Sequence, residues 1–296
     1  MAALTAPACG GDTGASRASS PSAARNGGAG SAAPVVDLGK LRPPAGLRGS
    51  GHVAAEPGRA AATGPRRSPS ARLVDHGPRD RRRVALTFDA DMTWQKLAEL
   101  RAGGGGSSWY DPRIVAELER TRTPATIFLT GLWTRVHADV ARRLVRSPLF
   151  ELENHSLSHR AFAEPCYGLA PVTSARAKRA EVVRSRDIIA QVTGRRPRFF
   201  RFPGGCHSAA DLRTVAAAGE QPLGWDVVSG DPGQPDPGPI VGAVVGHARP
   251  GSIVVMHLVG APNAPATAAA LREIIPALRA RGYELVTLTR LLGGRG

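Results

Sequence analysis

The pattern of apolar and polar residues divides the chain near residue 83. Before that point Ala, Gly, Ser, Pro and Arg dominate, and no apolar period is sustained. Such a segment cannot bury enough apolar surface to offset its ordering entropy. We therefore predict that residues 1–82 form a disordered tail or linker and that residues 83–296 form one folded domain.

From Val84 onward, short apolar runs alternate with helical stretches. This alternation is typical of βα units and a largely parallel sheet. We therefore predict an α/β fold, a distorted (β/α) barrel with about seven parallel strands. The predicted strands lie at 84–88, 125–130, 149–153, 198–202, 222–228, 252–257 and 283–288. The predicted helices lie at about 112–121, 135–146, 173–192, 208–218, 239–247 and 264–281.

Chemically active side chains follow or end five of these predicted strands. In a βα barrel the loops after the strands converge on one rim, so we expect these side chains to lie close together. They are Asp89, Asp91, His155, His159, Arg201, Asp231 and His257.

The strongest local signal is the segment His155-Ser-Leu-Ser-His159, in which two imidazoles lie four residues apart. Two such histidines can point the same way and bind one divalent cation. With a carboxylate from another segment as third ligand, a position stays open for water, as in hydrolytic metal sites. Two unrelated surface histidines are the alternative for this spacing taken alone.

Asp89 and Asp91 come at the end of the first predicted strand, on either side of Ala90. Two carboxylates this close can take different roles if one binds the metal and the other stays free. The free one can then accept a proton from water. The alternative for Asp91 is a cap on the following helix.

Three further strand ends carry candidates with specific roles. Arg201 can hold a carboxylate ionised through paired hydrogen bonds, although a surface arginine is the alternative. Either Asp226 or Asp231 can orient an imidazole and raise its pKa, or simply cap a loop. His257 ends the apolar run 253–256 and can protonate a leaving amine; a buried core histidine is the alternative.

Five motifs in this order resemble those of the polysaccharide deacetylases with a NodB homology domain, carbohydrate esterase family four. The likeness covers about residues 82–292. The motifs are Thr87-Phe-Asp-Ala-Asp91, His155-Ser-Leu-Ser-His159, Arg201-Phe-Pro-Gly-Gly205, Ser229-Gly-Asp-Pro232 and Val255-Met-His257.

This resemblance implies a role for each candidate. Asp89 is the general base, braced by Arg201. His155 and His159 ligate a divalent metal, most simply zinc. His257 is the general acid, tuned by Asp231.

The chain departs from the family pattern at three positions. The second aspartate of the first motif, a metal ligand in the family, is Ala90 here, and we expect Asp91 to replace it. The tryptophan of the fourth motif is Pro232, so one groove wall differs. Gly204 stands where an aromatic residue is common, which predicts a wider groove.

The resemblance implies a metal-dependent hydrolase that removes N-acetyl groups from an N-acetylglucosamine-containing polysaccharide, either peptidoglycan or chitin-like. Two alternatives stay open. One is hydrolysis of an O-acetyl ester or another amide at the same metal site. The other is a non-catalytic descendant that binds glycan, since Ala90 departs from the motif.

Composition bears on partners and location. The net charge is +15, and residues 1–83 hold 13 Lys/Arg against 5 Asp/Glu. This favours a polyanion such as an anionic cell wall as partner, bound through the basic tail; no nucleic-acid recognition motif appears.

No apolar stretch is long enough to span a membrane. Cys166 and Cys206 are either a disulfide of an exported protein or two buried thiols. We expect an extracellular or cell-surface location, although no complete signal peptide is visible.

Overall fold

The structure is a computed structural model that describes residues 69–103 and 108–294. Its strands are β1 (Arg83–Ala90), β2 (Ala125–Leu129), β3 (Phe150–Asn154), β4 (Phe199–Arg201), β5 (Gln221–Leu223), β6 (Val227–Val228), β7 (Ser252–His257) and β8 (Glu284–Leu285). Its helices are α1 (Trp94–Arg101), α2 (Pro112–Arg120), α3 (Gly131–Val136), α4 (Ala138–Leu144), α5 (Ala175–Thr193), α6 (Ala209–Ala217), α7 (Pro237–His247), α8 (Thr267–Ala280) and α9 (Leu288–Leu291). Residues 1–68, most of the predicted tail, lie outside the described part.

The strands form one parallel sheet in the order β5-β4-β3-β2-β1-β7-β6, with β8 beside the start of β1. The central strands are buried along almost their whole length, as expected for a parallel sheet covered by helices. The predicted α/β fold with about seven parallel strands is therefore confirmed.

The predicted strand at 222–228 is in fact two strands at opposite edges of the sheet. β5 pairs with β4, whereas β6 pairs with β7. Only three residues, 224–226, join them, and this connection reaches at most about 14 Å. A flat sheet of seven strands would separate its edges by about 29 Å. The sheet must therefore curl into an incomplete barrel.

The segment just before β1 fills the gap between the two edges. Val74 pairs with Leu223 of β5, and His76 pairs with Ser252 of β7. These residues fall within the predicted tail, yet their backbones pair with the sheet.

Asp226 links the segment before β1 to strand β7. Its carboxylate accepts hydrogen bonds from Arg79, Ser252 and the backbone N–H of Ile253. Of the two acids considered for orienting an imidazole, this one has a structural role.

Other local predictions differ from the structure near the chain's end and in two helices. The predicted strand 283–288 is wrong beyond its first residues, because Leu288 begins helix α9, and Leu288 and Leu291 belong to the same buried core cluster as Ala85. A short apolar run cannot by itself separate a strand from a buried helix. The predicted helix 135–146 is two helices, α3 and α4, which meet at His137. Helix α1 was not predicted.

Cys166 and Cys206 form a disulfide, which decides between the two alternatives for this pair. Among the described residues, every helix is either too short or too polar to cross a lipid bilayer.

Gly251 tests how closely the segment before β1 packs against the sheet. Gly251 has φ +82°, and an added Cβ would lie 2.5 Å from the carbonyl oxygen of Pro78 and 2.6 Å from that of Gly77. We expect Gly251→Ala to lower the free energy of unfolding by about 2–4 kcal/mol, since left-handed strain and a backbone clash add. Urea unfolding measures it.

Gly246→Ala is the matched control. This glycine is exposed within α7 and has open space around it. Because alanine favours helix, the variant should gain up to about 1 kcal/mol. Equal stability of the two variants would contradict the described contact.

Candidate metal centre

The seven predicted site residues meet at the carboxyl-end rim of the sheet. The register pairs Asp89 of β1 with His257 of β7. It also pairs Asn154 of β3 with Phe200 of β4. His155, directly after β3, and Arg201, the last residue of β4, therefore lie at neighbouring strand ends. The order of the strands thus brings residues distant in sequence together.

Asp91, His155 and His159 form a cluster whose ligand atoms all lie within 4.8 Å of one another. One oxygen, Asp91 Oδ1, lies 3.5 Å from His155 Nε2 and 3.3 Å from His159 Nε2. Two ligands at about 2.1 Å from one tetrahedral ion lie about 3.4 Å apart. The spacing therefore suits three ligands around a single small cation.

Two atoms of this cluster are buried without a hydrogen-bond partner. They are Asp91 Oδ1 and His155 Nε2, and both point into the cluster. Leaving a buried polar atom unsatisfied costs about 1–3 kcal/mol, so such atoms call for a ligand. A divalent cation between them would satisfy both.

Neighbouring groups prepare both histidines for coordination. His155 Nδ1 donates to the carbonyl oxygen of Arg201 at 2.9 Å, because that oxygen can only accept. The lone pair of His155 therefore lies on Nε2, which faces Asp91. Burial lowers the pKa of His159 to about 4 against the opposing effect of Asp91, so the His159 imidazole is neutral at pH 7.

Asp91 is the charged member of the cluster. Burial by itself would raise its pKa, but the facing imidazoles of His159 and His155 outweigh burial and hold the pKa well below its usual range.

The loop that carries the two histidines is held in an unusual backbone conformation. Ser156 has φ +69° and His159 has φ +55°, in the left-handed region. Glu181 of α5 accepts hydrogen bonds from both the backbone N–H and the hydroxyl of Ser158. Glu181 therefore holds this loop in place. Its role was not predicted, because a glutamate within a polar helix carries no motif signal.

The shift from Ala90 to Asp91 follows from strand geometry. Side chains alternate along an extended chain, so residues 89 and 91 share one face and residue 90 points to the other. Ala90 is fully buried, and its carbonyl oxygen accepts bonds from Thr130. Asp91, the first residue after β1, thus lies with His155 and His159 without any insertion in the strand.

Asp89 is held apart from the three-residue cluster by Arg201. The guanidinium donates to Asp89 Oδ1 at 2.7 Å, and Arg201 is fully buried. Its cation also lies 4.0 Å from the ring centroid of Phe128. Burial lowers the pKa of Arg201, which Asp89 opposes. The other oxygen, Asp89 Oδ2, lies 3.7 Å from His155 Nε2.

His257 forms a pair with Asp231, which is fully buried and accepts several hydrogen bonds. Its partners are His257 Nδ1 at 2.8 Å, the backbone N–H of His257, and the hydroxyls of Thr267 and Ser229. Burial would lower the pKa of His257, but Asp231 outweighs it and raises the pKa to about 9. Burial would raise the pKa of Asp231, yet its bonds with His257 lower it.

The two remaining departures from the family pattern are Gly204 and Pro232. Gly204 was expected to widen the groove. Cys166 Sγ and Tyr167 border the space beside it, and an added Cβ would lie 2.7 Å from that sulfur. Tyr167 itself is 88% exposed. Pro232 is exposed at the position of the family tryptophan.

The comparison with known proteins agrees with this geometry. The family model described as "Polysaccharide deacetylase" matches residues 76–223, half of the chain. The protein therefore belongs to the polysaccharide deacetylase family.

Individual relatives fall in the same group. The chain is 30% identical over 193 residues to a chitooligosaccharide deacetylase of Sinorhizobium fredii, covering 62% of this chain and 86% of that protein. It is 25% identical over 212 residues to a peptidoglycan-N-acetylglucosamine deacetylase of Bacillus cereus, covering 72% and 69%. A family 4 carbohydrate esterase pseudoenzyme from Bacillus anthracis shares the fold with a TM-score of 0.62 at 24% identity, covering 75% of this chain and 69% of that one.

The pair His257–Asp231 gives a test by titration. In metal-free protein, the imidazole of His257 should titrate near pH 9, and Asp231→Asn should lower that pKa strongly, since only the more distant Asp91 and Asp89 then oppose burial. The matched variant Thr267→Val removes one bond to Asp231 and should lower the pKa less. Nuclear magnetic resonance of the histidine ring protons measures both.

The same pair predicts a pH dependence of stability. Because folding raises the pKa of His257, its contribution is complete below pH 6.5 and is lost as the pH rises through about 9. Asp231→Asn should lack this loss. A His257 that titrates near 6.5 in the unaltered protein would contradict the described pair.

Proposed function

We propose that the protein is a metal-dependent hydrolase that removes N-acetyl groups from an N-acetylglucosamine-containing polysaccharide, either peptidoglycan or chitin-like. Family membership and the names of the two relatives support the reaction class. The single observation that carries the proposal is the cluster of Asp91, His155 and His159 with two unsatisfied buried atoms, beside a separate carboxylate, Asp89.

The donor set fits a divalent cation, and we propose zinc. Two imidazole nitrogens and one carboxylate oxygen are ligands that zinc accepts in catalytic sites with an open position. When bound, the cation supplies a Lewis acid that polarises the acetamide carbonyl and acidifies water.

Asp89 acts as the general base in this proposal. Its Oδ1 accepts a charge-assisted hydrogen bond from Arg201, while Asp89 Oδ2 remains on the side of the cluster. From there it takes a proton from the water that attacks the acetyl carbon. Arg201 is the group that positions Asp89.

His257 acts as the general acid. With a pKa of about 9 it carries both ring protons at neutral pH. Nδ1–H is directed to Asp231, which leaves Nε2–H to protonate the departing nitrogen. The carbon–nitrogen bond breaks, and acetate and a free amino sugar are the products.

A non-catalytic, glycan-binding role has one feature in its favour. Ala90 stands where the family has an aspartate, and a pseudoenzyme shares the fold. The position of Asp91 within the ligand cluster favours the enzyme instead.

We further propose an extracellular or cell-surface location, with the basic N-terminal residues bound to an anionic wall. Support comes from the disulfide between Cys166 and Cys206, since such bonds persist in oxidising compartments, and from the positive charge of residues 1–83. Detection in the wall or medium fraction of the source cell tests this; recovery only from the cytosol contradicts it.

Two substitutions separate the base from the ligand. Asp89→Asn should retain the metal but lower kcat for acetate release by at least about 10³-fold, because the proton acceptor is lost. Asp91→Ala should lower metal affinity by more than the about 10–100-fold typical of an outer partner. Acetate assays on chitooligosaccharide and peptidoglycan, with metal analysis, measure both.

The variants serve as controls for each other, since both remove one carboxylate at the end of β1. Acetylxylan serves as the ester substrate. Unchanged metal content in Asp91→Ala would exclude Asp91 as a ligand. Absence of acetate release by the unaltered, metal-loaded protein from every N-acetylated substrate would overturn the proposed reaction.

A further inference from the structure

The loop that follows the two metal-centre histidines carries an exposed tyrosine. This loop, residues 162–169, starts three residues after His159, and the backbone N–H of Ala161 closes it by donating to the carbonyl oxygen of Ala170. Tyr167 lies in the loop and is 88% exposed. In the part of the chain that the structure describes, only two other large hydrophobic side chains are exposed, at 36% and 59%. The hydrophobic core therefore does not use the Tyr167 ring.

A disulfide joins this loop to the third motif. Cys166, the residue before Tyr167, is bonded to Cys206. Cys206 directly follows the motif Arg201-Phe-Pro-Gly-Gly205. Tyr167 itself has φ +46°, a left-handed conformation that costs free energy for a residue with a bulky side chain. The fold thus holds the backbone of an exposed aromatic residue in place, so less freedom is lost when its ring binds a ligand.

The ring of Tyr167 occupies space that a side chain at position 204 would need. A Cβ added to Gly204 would lie 3.1 Å from Tyr167 Cδ2, in addition to its clash with Cys166 Sγ. Gly204 is also the position at which an aromatic residue is common in the family pattern. The chain therefore lacks an aromatic side chain at position 204 and has one beside that position from a different loop.

The third motif connects this ring to the metal centre. Its first residue, Arg201, donates to Asp89, and the carbonyl oxygen of Arg201 accepts from His155. Gly204 is three residues further on, so its Cα lies at most about 11 Å from that of Arg201. His155 is buried whereas Tyr167 is exposed. The ring therefore lies at the outer edge of the site, where the next unit of a bound sugar chain would pass.

We propose that Tyr167 determines specificity by stacking on a sugar ring adjacent to the acetamido sugar that is hydrolysed. This inference rests on the proposed function. A pyranose ring has an apolar face of C–H groups, which packs against the electron-rich face of an aromatic ring. Because the contact needs a second sugar unit, the substrate class is an oligomeric or polymeric N-acetylated glycan and not a free monosaccharide.

The experiment compares two substrates that differ in chain length. They are an N-acetylglucosamine pentamer and the methyl glycoside of N-acetylglucosamine, and the measured quantity is kcat/KM for acetate release by metal-loaded protein. Tyr167→Ala should lower kcat/KM for the pentamer by about 10-fold, which corresponds to about 1.4 kcal/mol, and leave the value for the single sugar unchanged. Tyr167→Phe should keep the pentamer value, because the ring face remains.

Glu164→Ala is the matched control, since it truncates another exposed side chain of the same loop. Both of its values should equal those of the unaltered protein. Calorimetric titration with zinc should also give the same affinity for all three variants, because none of them alters a metal ligand.

Two results would overturn the inference. One is an unchanged pentamer value in Tyr167→Ala. The other is a loss in Tyr167→Ala that is equal for both substrates, or that Glu164→Ala reproduces, because the loop would then act on the metal centre and not on a second sugar. If neither substrate releases acetate, the proposed function fails by itself. The dissociation constants of the pentamer from the unaltered protein and Tyr167→Ala, measured by calorimetry, then still decide whether Tyr167 binds the sugar chain.

Discussion

The short connection between β5 and β6 constrains the whole structure. Three residues must join strands at opposite edges of a seven-strand sheet, so the sheet curls until its edges approach. Curling brings the carboxyl ends of β1, β3, β4 and β7 around one rim. Without it, Arg201 of β4 and His257 of β7 would be separated by several strands. Instead, both lie close to Asp89, Arg201 through a 2.7 Å bond and His257 through the β1–β7 register.

At this rim, the surroundings give two nearby carboxylates different properties. Asp89 has a buried arginine as its partner, while Asp91 faces two imidazoles at 3.5 and 3.3 Å, distances suited to ligands of a shared ion. His257 is likewise set apart from the neutral His159 by its bond to Asp231. The two histidines therefore have opposite pKa shifts: Asp231 raises the pKa of His257 to about 9, whereas burial lowers that of His159 to about 4.

The sequence predicted the fold class, and the meeting of the seven candidate residues at one rim, because both depend on simple patterns. Buried parallel strands are apolar runs, and their polar ends identify the rim. The residues after Leu223 were not recognised as a break, because the run continues with apolar Trp225 and Val227. Helix α1 was missed because it buries only Leu97 and therefore shows little periodicity. The role of Glu181 depends on its contact with Ser158, a residue distant in sequence, which no local pattern reports.

The central claim is that Asp91 binds the metal and Asp89 stays free of it. A crystal structure of the protein soaked with zinc, with anomalous scattering to locate the ion, tests this most directly. The account predicts one ion bound by Asp91, His155 and His159, with Asp89 still paired to Arg201. An ion coordinated by Asp89, or a site away from both histidines, would contradict it.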